Sequence, residues 1–261
     1  MMVKMTVQGG LIYLTLTLFA ATVIARRGGW RAIGNAFWGT GFVAAVASVA
    51  WRGLHTGHPP MQNLFEFFLC MAAALWPLSV WSRWRNGLDT TVQDALLGML
   101  ILVPAGFVFG EEVRRLPPAL QSALFIPHVG SYVAGYVLLA RAALMALPLF
   151  RRDVAGDRMR QAETASRQTA VVGFVLLTLG LFLGSLWGKI CWGHYWQFDP
   201  KEMWSLATWL VYAGYFHERL AHGVRAPRSL AALLWIGLLF IVLTLTWINL
   251  SRLFAGMHNY A

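Results

Sequence analysis

Eight apolar stretches follow one another along this chain, at about residues 9–25, 36–51, 64–82, 95–110, 127–150, 169–187, 203–220 and 230–249. Short polar segments separate them. A helical bilayer crossing needs about 20 predominantly apolar residues, so the shorter runs must borrow flanking aromatic and amphipathic residues. The pattern predicts an all-α, polytopic integral membrane protein: about eight transmembrane helices in a single helical membrane domain over 1–261. Only Lys4 precedes the first run and no clear small-residue cleavage site follows it, so that run reads as a retained helix, with a cleaved signal peptide as the lesser reading. Arg141 falls inside the fifth run and should face protein or water, because a lipid-facing Arg at mid-bilayer is costly.

The polar connections carry unequal charge. Those after spans one, three, five and seven hold thirteen Lys or Arg, counting Arg219 at the edge of span seven; the other connections and the two ends hold seven. Cytoplasmic loops collect Lys and Arg, which puts the richer set inside and both termini outside. His55, His58, His128, His194 and His258 then lie on the outer side, and His217 and His222 toward the inner one. The segment Arg151–Arg167, with five Arg and three acidic residues, reads as an amphipathic or solvated cytoplasmic connection.

Composition agrees. The chain is 58% hydrophobic and 12% charged, where a soluble domain carries about a quarter charged residues. The formal charge of +10 is spread over short loops rather than gathered on one face. It therefore reflects topology, and no nucleic-acid partner is expected. The two cysteines, Cys70 and Cys191, indicate no disulfide framework, and no Cys-x-x-Cys-His is present.

Tryptophan changes the picture. An aromatic belt accounts for several of the thirteen. It does not account for Trp187, Trp192, Trp196, Trp204 and Trp209 within one short stretch. Residues 187–204, between spans six and seven, form an external tryptophan-rich loop with Gly188 and Gly193 to permit turns. Asp199 is placed to cap a helix beginning near Pro200, with Glu202 in its first turn. A broad indole and phenol surface suits a flat apolar partner such as a porphyrin, quinone or lipid ring. Composition alone leaves a ligand platform and an interface belt both open.

The segment resembles the tryptophan-rich "WWD" signature of haem-handling proteins in cytochrome c maturation. Trp192-Gly193-x-Tyr195-Trp196-x-Phe198-Asp199-Pro200-Lys201-Glu202-x-Trp204-Ser205-Leu206, followed by Thr208-Trp209-Leu210 and Tyr212-Ala213, is similar to the CcsA-type (ResC-type) subunit of the system II cytochrome c synthase. The related system I subunit carries Asp-Ala-Arg where this chain has Asp199-Pro200-Lys201. Gly57-His58-Pro59-Pro60-x-x-Asn63-Leu64-x-Glu66, His128 and Gly256-Met257-His258-Asn259-Tyr260 extend the likeness. Phe198 departs from it, standing where the family usually has Trp; an indole N–H at that position is lost.

The resemblance implies a set of roles. His128 and His258 would be the axial ligands of an external haem iron, and His217 a ligand of a transmembrane one. Trp187, Trp192, Gly193, Trp196, Phe198, Asp199, Glu202 and Trp204 would handle the macrocycle, haem b being both substrate and ligand. No catalytic residue is assigned apart from haem positioning. Without the resemblance, His217 could equally mark an interface before Glu218 and Arg219. Ala213 and Gly214, on its helical face, could admit a macrocycle or a neighbouring helix. Lys189, Lys201 and Arg252 could pair with propionates. His194 sits at a variable position and should be exposed, and His58 is expected to orient rather than ligate.

The implied activity is that of a holocytochrome c synthase (haem lyase) complex in the bacterial cytoplasmic (or thylakoid-type) membrane. Haem is presented at the outer face for thioether attachment to the Cys-x-x-Cys-His of apocytochrome c. A CcsB/ResB-type membrane subunit would complete the site, with thiol-reducing proteins as further partners. The rival from another class is a haem exporter that catalyses nothing. A b-type electron-transfer subunit ranks third, because it usually needs two pairs of helical histidines and only His217 lies convincingly in a span.

Overall fold

The computed structural model describes residues 3–151, 156–223 and 227–247. Its eight α-helices correspond in order to the eight apolar runs: α1 Val7–Arg27, α2 Arg31–Thr56, α3 Leu64–Asn86, α4 Thr91–Phe107, α5 Phe125–Met145, α6 Asp157–Trp192, α7 Pro200–His222 and α8 Pro227–Leu245. No strand is found among the described residues. The chain is all-helical, as the hydropathy pattern predicts.

Among the described residues, six segments are long and apolar enough to cross a bilayer: α1, α2, α3, α6, α8, and α5 with the turn that follows it. The apolar α4 is shorter, at 17 residues. α7 contains Lys201, Glu202, His217, Glu218 and Arg219 and is correspondingly amphipathic. Two runs are shaped differently from the expectation. The fifth leaves α-geometry at Met145 and closes in a 3-10 turn, Leu147–Phe150, where Pro148 lacks the amide that would continue the helix. The basic connection before span six is helical from Asp157 onward. Ala162, Glu163, Ala165 and Ser166 face inward there while Arg158 and Arg160 are exposed, so the amphipathic reading holds for that part.

The helices form two units, Met1–Gln121 and Ser122–Ala261. In the first, α1 packs against α2 and α4, and α3 against α2 and α4. Asn63 caps α3 by accepting from the Glu66 amide. The Glu66 carboxylate turns inward, where Arg52 donates to it at 2.9 Å and the Gln62 amide at 2.8 Å. Arg52 also donates to the carbonyls of Glu111 and Glu112, at 2.7 and 2.8 Å. The Asn63–Glu66 stretch is therefore a structural clamp. His58 precedes it in the chain, its Nδ1 3.0 Å from the Pro59 carbonyl and its Nε2 3.3 Å from the Arg114 carbonyl.

In the second unit α5 packs along α6 and α8, and α7 along α8. Arg141 is buried, facing protein rather than lipid. Glu163 of α6 pairs with Arg219 of α7 at 2.5 Å, and Thr208 of α7 meets Thr244 of α8 at 3.4 Å. Buried charges persist only when paired in this way.

Candidate functional site

The tryptophan-rich segment is a helix end, a short linker and a helix start. α6 runs on through Trp192 and stops at Gly193, whose φ of 84° favours a residue without Cβ. Lys189, in the last turn, donates to the Gly193 carbonyl at 2.8 Å and lies 5.5 Å from the Tyr195 ring centre. The first contact sets the cation against the negative end of the helix dipole. α7 begins with a full capping box. Asp199 accepts from the Lys201 amide at 2.9 Å, and Glu202 reaches back to the amides of Asp199 and Gln197 at 3.2 and 2.9 Å. The two acidic residues of the signature thus anchor the loop through its backbone.

Between these anchors the chain is under local strain. Phe198 has φ of 57°, the sole positive value at a non-glycine position among the described residues. Its side chain is 74% exposed. An aromatic side chain in that backbone region is costly and tends to mark a functional constraint. Trp196 is half-buried, while His194 and Tyr195 are exposed, His194 as expected.

His128 lies in the first turn of α5, and its ring is seated against α6. Nδ1 is 2.9 Å from the Gly180 carbonyl. The ring stacks on Trp187, with centres 5.8 Å apart, and meets Tyr132 edge-on at 5.2 Å. Trp187 is buried and contacts Trp192 at 4.9 Å. A carbonyl only accepts, so Nδ1 carries a proton, and in the neutral ring Nε2 then bears the lone pair. That is the tautomer needed for ligation of a metal through Nε2, with a backbone carbonyl as the orienting partner.

Of the site residues named from the sequence, His128, Trp187 and Trp192 come together in one contiguous cluster, Trp187 stacked on His128 and edge-on to Trp192. Gly193, Asp199 and Glu202 shape the adjoining loop. Trp204 turns away from it and packs on Phe240 of α8, with centres 5.4 Å apart. His217 stands about 27 Å from Asp199 along α7 at ~1.5 Å rise per residue, at the opposite end of that helix. It is exposed, and a Cβ added at Gly214, one turn before, would meet nothing. Tyr212 and Tyr215 occupy the buried face of the same helix. His258 and Arg252 lie outside the described residues. Among the described residues no three His, Cys, Asp or Glu side chains gather around a common point.

The glycines under His128 did not stand out in the sequence. Their signal was available as Gly180-x-x-x-Gly184, the small-residue spacing that allows close helix approach.

Among the described residues, eight helices, most of them long and apolar enough to cross a bilayer, define a polytopic membrane protein. The chain belongs to the cytochrome c assembly protein family, whose profile matches residues 61–258. It is 30% identical over 253 residues to the cytochrome c biogenesis protein CcsA of Synechococcus sp. (strain CC9902), covering 82% of each chain. It is also 29% identical to CcsA of Synechococcus sp. (strain CC9311), covering 85% of each, and 30% identical to that of Prochlorococcus marinus (strain MIT 9515), covering 80% of this chain and 78% of the relative. The chain is a CcsA-type membrane protein with a role in cytochrome c assembly.

Proposed function

We propose that this chain binds haem b at the outer membrane face and presents it for covalent attachment to apocytochrome c, as part of a haem lyase complex. The observation that carries the reading is the His128 seat: an imidazole fixed in the Nδ1–H tautomer beside the Trp187–Trp192 pair. His128 offers Nε2 to one axial position of the iron, and His258, in the C-terminal tail, to the other. The aromatic side chains of residues 187–204 give the macrocycle a flat surface, and the strained Phe198 offers its ring at the loop tip. Asp199 and Glu202 act indirectly by holding the loop. The outward orientation follows from the excess of Lys and Arg on the opposite connections.

In the reaction, each thiol of a reduced Cys-x-x-Cys-His adds across a haem vinyl group. Sulfur bonds to the carbon next to the ring, and the thiol proton ends on the terminal carbon, so no external oxidant is needed. The protein contributes positioning, while the addition belongs to haem and thiol. The substrate's own histidine replaces one axial imidazole. A CcsB/ResB-type membrane subunit completes the site, and thiol-reducing proteins keep the substrate competent. His217 is an inner ligand whose counterpart comes from that subunit.

The test is an absorption spectrum of the purified chain, with and without the partner subunit, for wild type and for His128→Ala, His258→Ala and His217→Ala. A bis-imidazole spectrum that is lost in a variant and regained with added imidazole supports the assignment. Wild-type chain that carries no haem in either preparation overturns it. Haem binding without thioether product, in the presence of partner and reduced apocytochrome, leaves the non-catalytic exporter in its place.

A further inference from the structure

We propose that Gly184 is a positioning residue for the His128 imidazole, an inference that rests on the assignment of His128 as an axial ligand. A Cβ added at Gly184 would lie 2.6 Å from His128 Cε1, 3.1 Å from Nδ1 and 3.5 Å from Nε2. The ring therefore rests on α6 backbone at a point where only hydrogen fits. Three further contacts fix it there. The Gly180 carbonyl, one helical turn earlier, holds Nδ1; Trp187, three residues later, stacks on the ring; Tyr132 closes its edge. Tyr132 is itself seated on glycine, since a Cβ at Gly180 would come within 3.0 Å of its ring.

This arrangement bears on haem exchange. An imidazole held on several sides loses its rotamer freedom when the protein folds, so less remains to be lost when iron binds. A carbonyl partner also confers less basicity on the ring than a carboxylate partner would. The ligand is thus well aimed but of moderate strength, which suits haem that must later leave. A methyl group at residue 184 cannot be accommodated by turning the ring unless the Gly180 bond or the Trp187 stack is given up.

The competing explanation is ordinary helix packing, and Gly173 separates the two. It lies in the same α5–α6 contact, where a Cβ would come within 2.8 Å of Leu139, far from His128 in sequence and in role. Gly173→Ala crowds the same helix pair without touching the seat.

The experiment uses the full chain with its partner subunit and compares wild type, Gly184→Ala, Gly173→Ala, His128→Gly and the double variant His128→Gly/Gly184→Ala. Haem itself is the titrant and the bis-imidazole spectrum is the readout. Gly184→Ala should bind haem about 10- to 100-fold more weakly, the range for a lost orienting partner. Added imidazole should restore its spectrum. Gly173→Ala should keep the wild-type spectrum and affinity, and the double variant should be no worse than His128→Gly. If Gly184→Ala does not fold, removal of the ring in the double variant must restore folding. A wild-type affinity in Gly184→Ala, an equal loss in Gly173→Ala, or a double variant that stays unfolded or binds more weakly than His128→Gly overturns the proposal. An unchanged spectrum in His128→Gly overturns the ligand assignment as well. An altered His128→Gly beside an unaltered Gly184→Ala removes the seat alone.

Discussion

Arg52 and Glu66 form an ion pair 2.9 Å long between α2 and α3, with side chains 3% and 1% exposed. Glu66 has no water to turn to if Arg52 is removed, and the reverse holds for Arg52. Breaking one half of such a pair costs about 3–5 kcal/mol, whereas replacing both halves by well-packed apolar residues can be neutral. Glu66→Ala should therefore lower thermal stability in detergent severely. The paired change Arg52→Met/Glu66→Leu should recover most of the loss in the same melting experiment. A paired variant no more stable than Glu66→Ala would show that the contacts of Arg52 to the Glu111 and Glu112 carbonyls, lost only in the paired variant, matter as much as the ion pair.

Asp199 tests whether the acidic signature acts through backbone or through haem. Its carboxylate caps α7. Loss of a cap costs about 0.5–2 kcal/mol, and serine caps as well as aspartate. Asp199→Ala should lower both stability and haem retention, and Asp199→Ser should restore both. A serine variant that melts like wild type but releases haem would assign the carboxylate a direct role.

Several features were legible because a single residue type dictates them. The eight runs became eight helices, and the Asp199–Glu202 cap was readable from spacing alone. Breakers and long-range pairing were harder. Pro148 ends α5 inside an apolar run, and hydropathy cannot distinguish an α-turn from the 3-10 turn that closes it. Arg52 pairs with a residue fourteen positions away, and Arg219 with Glu163 across two helices, so neither pattern is local. At the site, the resemblance named His128, while Gly180 and Gly184 look like any helix-packing glycines until the ring lies over them. Trp204, named with the haem-handling aromatics, packs on α8 because one helical turn is enough to rotate it away from the linker.

Asp89 gives a pH dependence with a definite sign. It lies in the connection between α3 and α4 and accepts from Arg26, from Arg83 at 3.0 Å and from the Thr91 hydroxyl at 2.7 Å. Burial works against its ionisation, but the bonds from Thr91 and Arg26 and the charge of Arg83 outweigh it, holding the carboxyl below its ordinary value of 3.8. A carboxylate depressed on folding contributes stability that is complete above the unfolded value and lost as pH falls through the folded one. Asp89→Asn should thus melt earlier than wild type at neutral pH, by the equivalent of about 1 kcal/mol for partly exposed pairs. The gap should close as the pH is brought below 3.8. A gap that is constant with pH would mean that shape rather than charge holds this connection.

His217 differs from a structural histidine in being exposed, beside open space at Gly214 and in line with Leu210, which is 56% exposed. Surface changes of this kind alter stability by only about 0.5 kcal/mol. His217→Ala should therefore fold and melt like wild type and keep the external haem spectrum in the isolated chain. In the complex with the partner subunit it should lose one haem per complex. Gly214→Phe, which fills the open surface without removing the imidazole, should produce the same loss, because a macrocycle and a phenyl ring cannot share that face. Haem content per complex, measured by pyridine haemochrome, decides the point. If both variants retain full occupancy, His217 marks only the membrane boundary. If either loses the external haem in the isolated chain, the two ends of α7 are coupled in a way the separate sites do not explain.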